Sequence, residues 1–415
     1  MARGALVGVL AAGLLLLAGL QGAAGSKRRS QRQRRDIEPR FGPVEEQIWD
    51  SGLMEKKLPF ATLVEKGREF YEDASQKRFK GFVLGYVTPW NKAGYQNAVT
   101  FRRKLDAVSP VWFQIRREDG QIKITGGHEY NKTWVDELKQ DGPGSGPLLV
   151  PRFIMEMDMQ EQVQVLSDPS DLVKAIVTQV VGYKLDGMVL EAWSQWVASN
   201  GMSNEQFRRA AIATVMMLGQ LLKANGDKKL YLAVPPLYPA NEKSPWFARE
   251  DLEMLAEHVD GFSVMTYDHN TGTAKAGPNA PITWVRTNLL LLEKGASDDA
   301  PQLSESTFSK FLLGLNFYGW DFALAPSAKR GAQGLAAVTA NDLVPLLQRH
   351  QPTLTWDDRS EEHSFEYTDK EGVPHAVWYP TPRSVEMRVQ VAEEATVGIS
   401  IWELGQGLER FFELL

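Results

Sequence analysis

The sequence predicts an α/β fold: a closed barrel of eight parallel strands ringed by helices, the (β/α)8 or TIM barrel, with a small α+β insertion between strands seven and eight. Three observations carry this. Short apolar runs recur along the chain, amphipathic helical patterns lie between most of them, and the runs number eight. Continuous apolar runs are what parallel strands buried on both faces require. A chain of 415 residues suits one such barrel with insertions.

The strands are expected at 82–87, 111–115, 148–155, 187–190, 230–234, 262–267, 311–317 and 398–402. A helix over 168–183 opens on a Ser167/Asp168 cap and Pro169, then places Leu172, Ile176, Val177 and Val180 at helical spacing. A longer one over 204–224 puts Phe207, Ala211, Val215, Leu218 and Leu222 on one face. Further helical patterns cover 250–258, 281–293, 340–349 and 383–395. Strands alternating with helices make βαβ units, and eight units suggest closure rather than an open sheet. No Gly-x-Gly-x-x-Gly follows a strand, which argues against a nucleotide-binding sheet.

Four other regions flank or interrupt the barrel of 81–415. Residues 1–24 read as a secretory signal peptide: Arg3, an apolar run from Ala5 to Leu20, then small residues at 22–25. A membrane anchor is the alternative, although the run is shorter than the ~20 residues of a span. Residues 25–35 form a basic linker or propeptide in which Arg32-Gln33-Arg34-Arg35 resembles a furin-type site. Residues 36–80 read as a helical lead-in whose best helix runs over 63–71, and residues 321–382 as the insertion, rich in hairpin patterns. Cutting after Arg35 removes seven basic residues and no acid, which moves the net charge from −6 to −13. That balance argues against nucleic acid or anionic membrane as the main partner. The chain has no cysteine, so thiol chemistry is excluded and the fold rests on its core. Asn131-Lys132-Thr133 is a glycosylation sequon, and secretion is the expected fate. No transmembrane stretch follows residue 25. No motif calls for a cofactor or a metal: His-Glu-x-x-His, Gly-x-Ser-x-Gly and phosphate-loop patterns are missing.

Function in such a barrel lives at the C-terminal strand ends. There the sequence places Tyr86, Trp90, Trp112, Asp186, Glu191, Trp193, Met265, Tyr267, Asp268, Tyr318 and Trp402. Sugar rings stack C–H faces on flat aromatics and need fixed polar partners for their hydroxyls, so this set predicts an oligosaccharide cleft. Each aromatic taken alone is equally a core residue.

Five of these segments resemble glycoside hydrolase family 18, the chitinase family, over residues 80–415. Leu185-Asp186-Gly187-Met188 resembles the start of its Asp-Gly-x-Asp-x-Asp-x-Glu signature. Gly85 to Trp90 is similar to its first strand, Met265-Thr266-Tyr267-Asp268 to its Met-x-Tyr-Asp strand, Leu313 to Gly319 to its Leu-Gly-x-x-x-Tyr-Gly strand, and Gly398 to Trp402 to its last strand. The resemblance implies substrate-assisted hydrolysis, in which a Glu protonates the leaving oxygen and an Asp two residues earlier orients the acetamido group. Counted from Asp186, the second signature Asp falls on Val189, the orienting Asp on Glu191 and the acid on Trp193. Trp320 replaces an Arg usual after strand seven, and Val150-Pro151-Arg152-Phe153 replaces a usual Gly-Gly. If the strand runs on, Glu191 and position 193 share a face about 6.6 Å apart. Glu191 then sits too deep to be the acid, and Trp193 protrudes into the cleft as platform or plug. Asp186 and Glu191 remain the candidate catalytic carboxylates, or else a pair bonded within the barrel. Three readings follow: a silent lectin for N-acetylglucosamine-type oligosaccharides or glycolipids, a weak hydrolase using Glu191, or a protein-interaction module with a closed cleft. Resemblance to one receptor-interacting member of that family implies a scavenger-receptor partner, stabilin-1, and with it passage through late endosomes and lysosomes as well as secretion.

Overall fold

The structure, a computed structural model of the chain, describes residues 37–140, 146–237, 246–272, 275–294, 303–324 and 334–415. The expected signal peptide and basic segment lie outside the described residues. No helix among the described residues is long and apolar enough to cross a membrane.

Eight parallel strands form the barrel. They are β1 (Val83–Val87), β2 (Ala107–Pro110, resuming as Phe113–Glu118), β3 (Leu148–Leu149, resuming as Arg152–Met155), β4 (Gly187–Glu191), β5 (Lys229–Val234), β6 (Gly261–Val264), β7 (Phe311–Asn316) and β8 (Gly398–Trp402). Each pairs in parallel with the next, and β8 pairs with β1. Residues 148–151 close the circle. Leu148 N and Val150 N donate to Asp106 O and Val108 O on one side, while Leu149 O and Pro151 O accept from Asp186 N and Val189 N on the other.

Alternation along the strands separates two cores. Leu84, Tyr86, Ala107, Val111, Val150, Val189, Tyr231, Ala233 and Leu312 pack together inside the barrel. The intervening residues, such as Val83, Val108, Phe153, Met188, Leu190, Leu232, Phe262, Leu313 and Ile399, pack outward in the larger core that includes the helices. Burying each of these large side chains contributes about 1.5–3 kcal/mol. Gly187 is held to glycine by a close approach: a Cβ there would meet Lys229 O at 2.2 Å.

The eight strands lie close to where their apolar runs predict, with one shift. The second strand begins at Ala107, and the chain bends at Val111 and Trp112 inside the stretch expected to be strand. Between β3 and β4 a first helix, Met159–Ser167, precedes the expected one, which runs over Ser170–Gly182. The long helix Glu205–Ala224 starts where expected, with Asn204 Oδ1 accepting from Phe207 N at 3.0 Å. The lead-in is only partly helical. Its helix, Phe60–Lys66, stops at Gly67, and Glu69–Tyr71 instead forms a two-stranded parallel sheet with Gly42–Val44. The β-prone Phe70 and Tyr71 are drawn there by pairing and by Glu413, whose Oε1 accepts from Tyr71 N at 2.9 Å. The insertion is a five-stranded antiparallel sheet (Gly319–Ala323, Leu335–Val338, Thr355–Asp357, Glu362–Thr368 and Pro374–Tyr379) with one helix, Ala340–His350.

Candidate functional site

The lower rim of the barrel is built by a repeated device. An aspartate just before each of β2, β4 and β6 accepts the first free amide of the preceding strand. Asp106 Oδ2 takes Val83 N at 2.8 Å, Asp186 Oδ2 takes Leu149 N at 2.7 Å, and Asp260 Oδ2 takes Leu230 N at 2.8 Å. A lysine lies against each: Lys77 on Asp106, Lys139 on Asp186 at 2.8 Å, and Lys229 on Asp260 at 3.7 Å. Asp186 is therefore not part of the mouth, contrary to its place among the candidate catalytic and ligand residues. It stands at the N-terminal end of β4 and closes the bottom of the barrel.

Glu191 ends the same strand at the top. It shares the inward face of Val189 by alternation. Its Oε2 accepts from Arg152 Nη1 at 2.6 Å, and the guanidinium stands 5.9 Å from the Trp402 ring centre. Trp402 lies 5.4 Å from the Tyr86 ring, and Tyr86 donates to Ser263 Oγ at 2.9 Å. Tyr267 sits in the combined field of Tyr86, Asp268, Glu191 and Arg152, and burial foremost raises its hydroxyl well above the ordinary value. Asp268 Oδ1 accepts from Tyr318 Oη, and from Trp320 Nε1 at 2.9 Å. Burial nonetheless pushes the Asp268 carboxyl above its usual range. Asn316 and Asn279 fix this corner by donating to Tyr318 O at 2.8 and 3.2 Å. Met265 is partly exposed just past β6.

Next to Trp402, Glu403 is fully buried. It accepts from Asn91 Nδ2 at 2.5 Å and Gly405 N at 3.0 Å, and burial raises it to about 7. Asn91 follows Trp90, which is 71% exposed on the loop after β1. Among the described residues no group of His, Cys, Asp or Glu is arranged to hold a metal.

The structure thus brings Tyr86, Glu191, Met265, Tyr267, Asp268, Tyr318 and Trp402 to the upper end of the barrel, with Trp90 on its rim. It removes two aromatics along with Asp186. Trp112 turns outward at the bend in β2: its Nε1 donates to Tyr95 Oη at 2.8 Å, and it packs on Tyr130 and Trp134. Trp193 does not protrude into the cleft. The strand stops at Glu191, and Trp193 opens the helix Trp193–Ala198. It is fully buried against Trp196 and Phe247, with Nε1 donating to Trp246 O at 2.9 Å. Alternation would carry Trp193 inward only if the strand ran two residues further than Glu191. Arg152 and Ser263 were missed as site residues, and Trp320 was noted only at the end of strand seven in place of an Arg. The departure of Arg152 from the Gly-Gly pattern was the signal available for it. Asn131 is exposed and caps the helix Lys132–Leu138, its Oδ1 accepting from Trp134 N at 3.2 Å.

The profile of glycosyl hydrolases family 18 matches residues 160–407, more than half of the chain. The chain belongs to this family. Among curated relatives, a cortical fragment-lytic enzyme of Bacillus anthracis is 28% identical over 181 residues, 43% of this chain and 39% of that protein. The chain thus spans about two fifths of the length of such relatives. A chitinase from Chromobacterium violaceum superposes with a TM-score of 0.62 at 20% identity, covering 80% of this chain and 97% of the other. A class V chitinase mutant from the plant Cycas revoluta, solved with (GlcNAc)3, gives 0.60 at 15% identity, covering 80% and 99%. These likenesses establish the barrel. In this member of the family the upper rim of the barrel holds Arg152, Glu191 and Asp268.

Proposed function

We propose that the chain is a secreted, lectin-like family 18 protein that binds N-acetylglucosamine-type oligosaccharides or glycolipids in the barrel mouth without cleaving them. The observation that carries this is the fate of position 193. The residue that stands where the family keeps its proton donor is an indole, folded into a helix and bonded to a backbone carbonyl. General acid catalysis needs a titratable group within hydrogen-bond reach of the leaving oxygen, and no such group stands at that position. The mouth keeps what binding needs: the rings of Tyr86, Tyr267 and Trp402, and polar groups on Arg152, Glu191 and Asp268. The ligand class is taken from the (GlcNAc)3 bound by the plant chitinase mutant.

Slow hydrolysis by Glu191 is the second reading. Two observations favour it: Glu191 is the last residue of β4 at the open end, and relatives are named lytic enzymes and glycosylases. One experiment separates the two. The chain is titrated with N-acetylglucosamine oligomers while tryptophan fluorescence is followed and the mixture is sampled for shorter sugars. Saturable quenching without products supports the lectin. Products that vanish in Glu191→Gln support the hydrolase. A closed cleft plugged by Trp193 has lost its premise, because Trp193 lies in the helical layer.

Within the family the sequence resembles the stabilin-1-interacting chitinase-like protein. A scavenger receptor is accordingly proposed as the partner that carries the chain to late endosomes and lysosomes. Retention of the purified chain on an immobilised receptor ectodomain would test this, and absence of retention would remove the proposal.

A further inference from the structure

A small cavity of about 40 Å3 opens outside the barrel, between the lead-in, the turn ahead of β2 and the C-terminal helical turn Glu409–Leu414. A water needs about 10–15 Å3, so the cavity holds about three groups of that size. Trp49, Tyr71 and Phe101 give it aromatic walls, and Lys104 lines it from the turn ahead of β2.

Lys104 is 3% exposed, yet among the described residues no hydrogen bond or ion pair engages its Nζ. The Nζ is not sealed in, since it is not one of the buried side-chain atoms left without a partner, and the cavity is its route to solvent. Three charged groups face it: Glu413 from the C-terminal turn, and Asp73 and Arg78 from the segment after Glu69–Tyr71. Both carboxylates are already engaged. Glu413 accepts from Ile48 N at 2.8 Å, Tyr71 N at 2.9 Å and Arg410 Nη1 at 2.8 Å, and Asp73 accepts from Ser75 N at 3.1 Å and Gln76 Nε2 at 2.8 Å. Burial foremost lowers the Lys104 amine to about 8, and the two carboxylates offset this only in part. Roughly a tenth of such an amine is neutral at pH 7, against under about a thousandth at the ordinary lysine value. A desolvated lysine of this kind is the activated form of the residue.

We propose that Lys104 is an amine nucleophile that captures short-chain aldehydes in this cavity as a reversible imine. The proposal is independent of the glycan-binding reading. The amine lone pair forms a C–N bond to the carbonyl carbon, and the carbonyl π pair moves to oxygen. The two amine protons then leave with that oxygen as water, giving C=N, and hydrolysis reverses the step. Charge selects aldehydes among electrophiles. An imine nitrogen still takes up a proton and keeps a cation beside Glu413 and Asp73, whereas an acyl group removes that cation and a carbamate puts a third anion there. Size selects short chains, because the room beyond Nζ is that of a few atoms.

The test incubates the full chain with acetaldehyde and cyanoborohydride at pH 7, which reduces the imine to a stable secondary amine, and maps the modified lysines by peptide mass spectrometry. Lys104 is expected to react at least about tenfold faster than exposed lysines such as Lys57 and Lys80. Benzaldehyde, too large for the cavity, should label the exposed lysines and lose the preference for Lys104. Ala74→Leu, which fills the cavity from its wall, should slow labelling of Lys104 at least about tenfold and leave the exposed lysines as they were. Labelling of Lys104 in the wild type no faster than that of Lys57 and Lys80 overturns the proposal and leaves Lys104 as a structural cation for Glu413 and Asp73. An undiminished rate in a folded Ala74→Leu variant overturns it too. If that variant does not fold, the two aldehydes decide alone: an equal preference of both for Lys104 overturns capture in the cavity.

Discussion

Strand β4 carries a carboxylate at each end, and the two are different kinds of group. Asp186, at the bottom, accepts from a backbone amide and a lysine and repeats an arrangement found before β2 and β6. Glu191, about 16 Å away at the top, is bound to one guanidinium beside a tryptophan ring. The upper carboxyls follow no common pattern: Asp268 is held by a phenol and an indole, Glu403 by an amide side chain and a backbone N–H. Repetition marks the end that holds the barrel together. Individuality marks the end that is free to meet a ligand.

The largest effect is expected at Trp193, the position where the signature count places the family's acid. If residue type alone made the upper rim catalytic, Trp193→Glu would raise hydrolysis above that of the wild type. The geometry predicts no gain in activity and a loss of about 3–5 kcal/mol, because a fully buried indole is replaced by a smaller group with an unpaired charge. Urea unfolding and a product assay on the same preparation check both parts. Cleavage above that of the wild type would mean that the helix at 193 opens when sugar binds.

The next effect is a pH dependence contributed by a buried carboxyl at the upper rim. The Glu403 carboxyl is raised by burial from an ordinary 4.5 to about 7. The folded chain then holds a proton that the unfolded chain releases, so stability falls as pH rises from about 4.5 to 7. The integrated change is on the order of 3 kcal/mol. Glu403→Gln should remove that contribution from the stability curve. Equal slopes in wild type and variant would place the titrating group elsewhere.

At the lower rim, Asp186→Asn weakens two charge-assisted bonds and is expected to cost about 1.5–3 kcal/mol without altering sugar affinity. Denaturant midpoints and the fluorescence titration measure the two separately. A variant of ordinary stability with altered affinity would break the comparison between the two ends.

The barrel was legible because its evidence is repeated: eight apolar runs, helical spacing between them, and turn chemistry in the insertion. What escaped was decided by single backbone events. Trp112 and Val111 look like strand by composition, yet the chain bends there and sends the indole outward. Trp193 occupies a strand position only if β4 continues, and Ala192 already leaves the extended region with ψ at −31°. Asp186 matched a catalytic signature, and only its partners reveal a clamp. Periodicity records which face a residue takes while an element lasts, and it carries little information on where the element ends. The site lies at those ends, which is why its residue types were readable and its geometry was not.

The smallest effect concerns Trp90, which is 71% exposed beside Asn91 on the rim. Removing an exposed side chain leaves stability within about 0.5 kcal/mol. A stacking contact with a sugar ring is of the order of an aromatic pair, about 0.5–1.5 kcal/mol, or roughly two- to twelvefold in affinity. Trp90→Ala should therefore weaken oligosaccharide binding by that factor and leave the unfolding midpoint in place. Trp112→Ala, the other tryptophan expected in the cleft, should do the reverse: lower stability by about 3–5 kcal/mol and leave affinity alone. If both variants lost stability and neither lost affinity, Trp90 would belong with the core of the fold, and the sugar would have to enter the barrel away from the loop after β1.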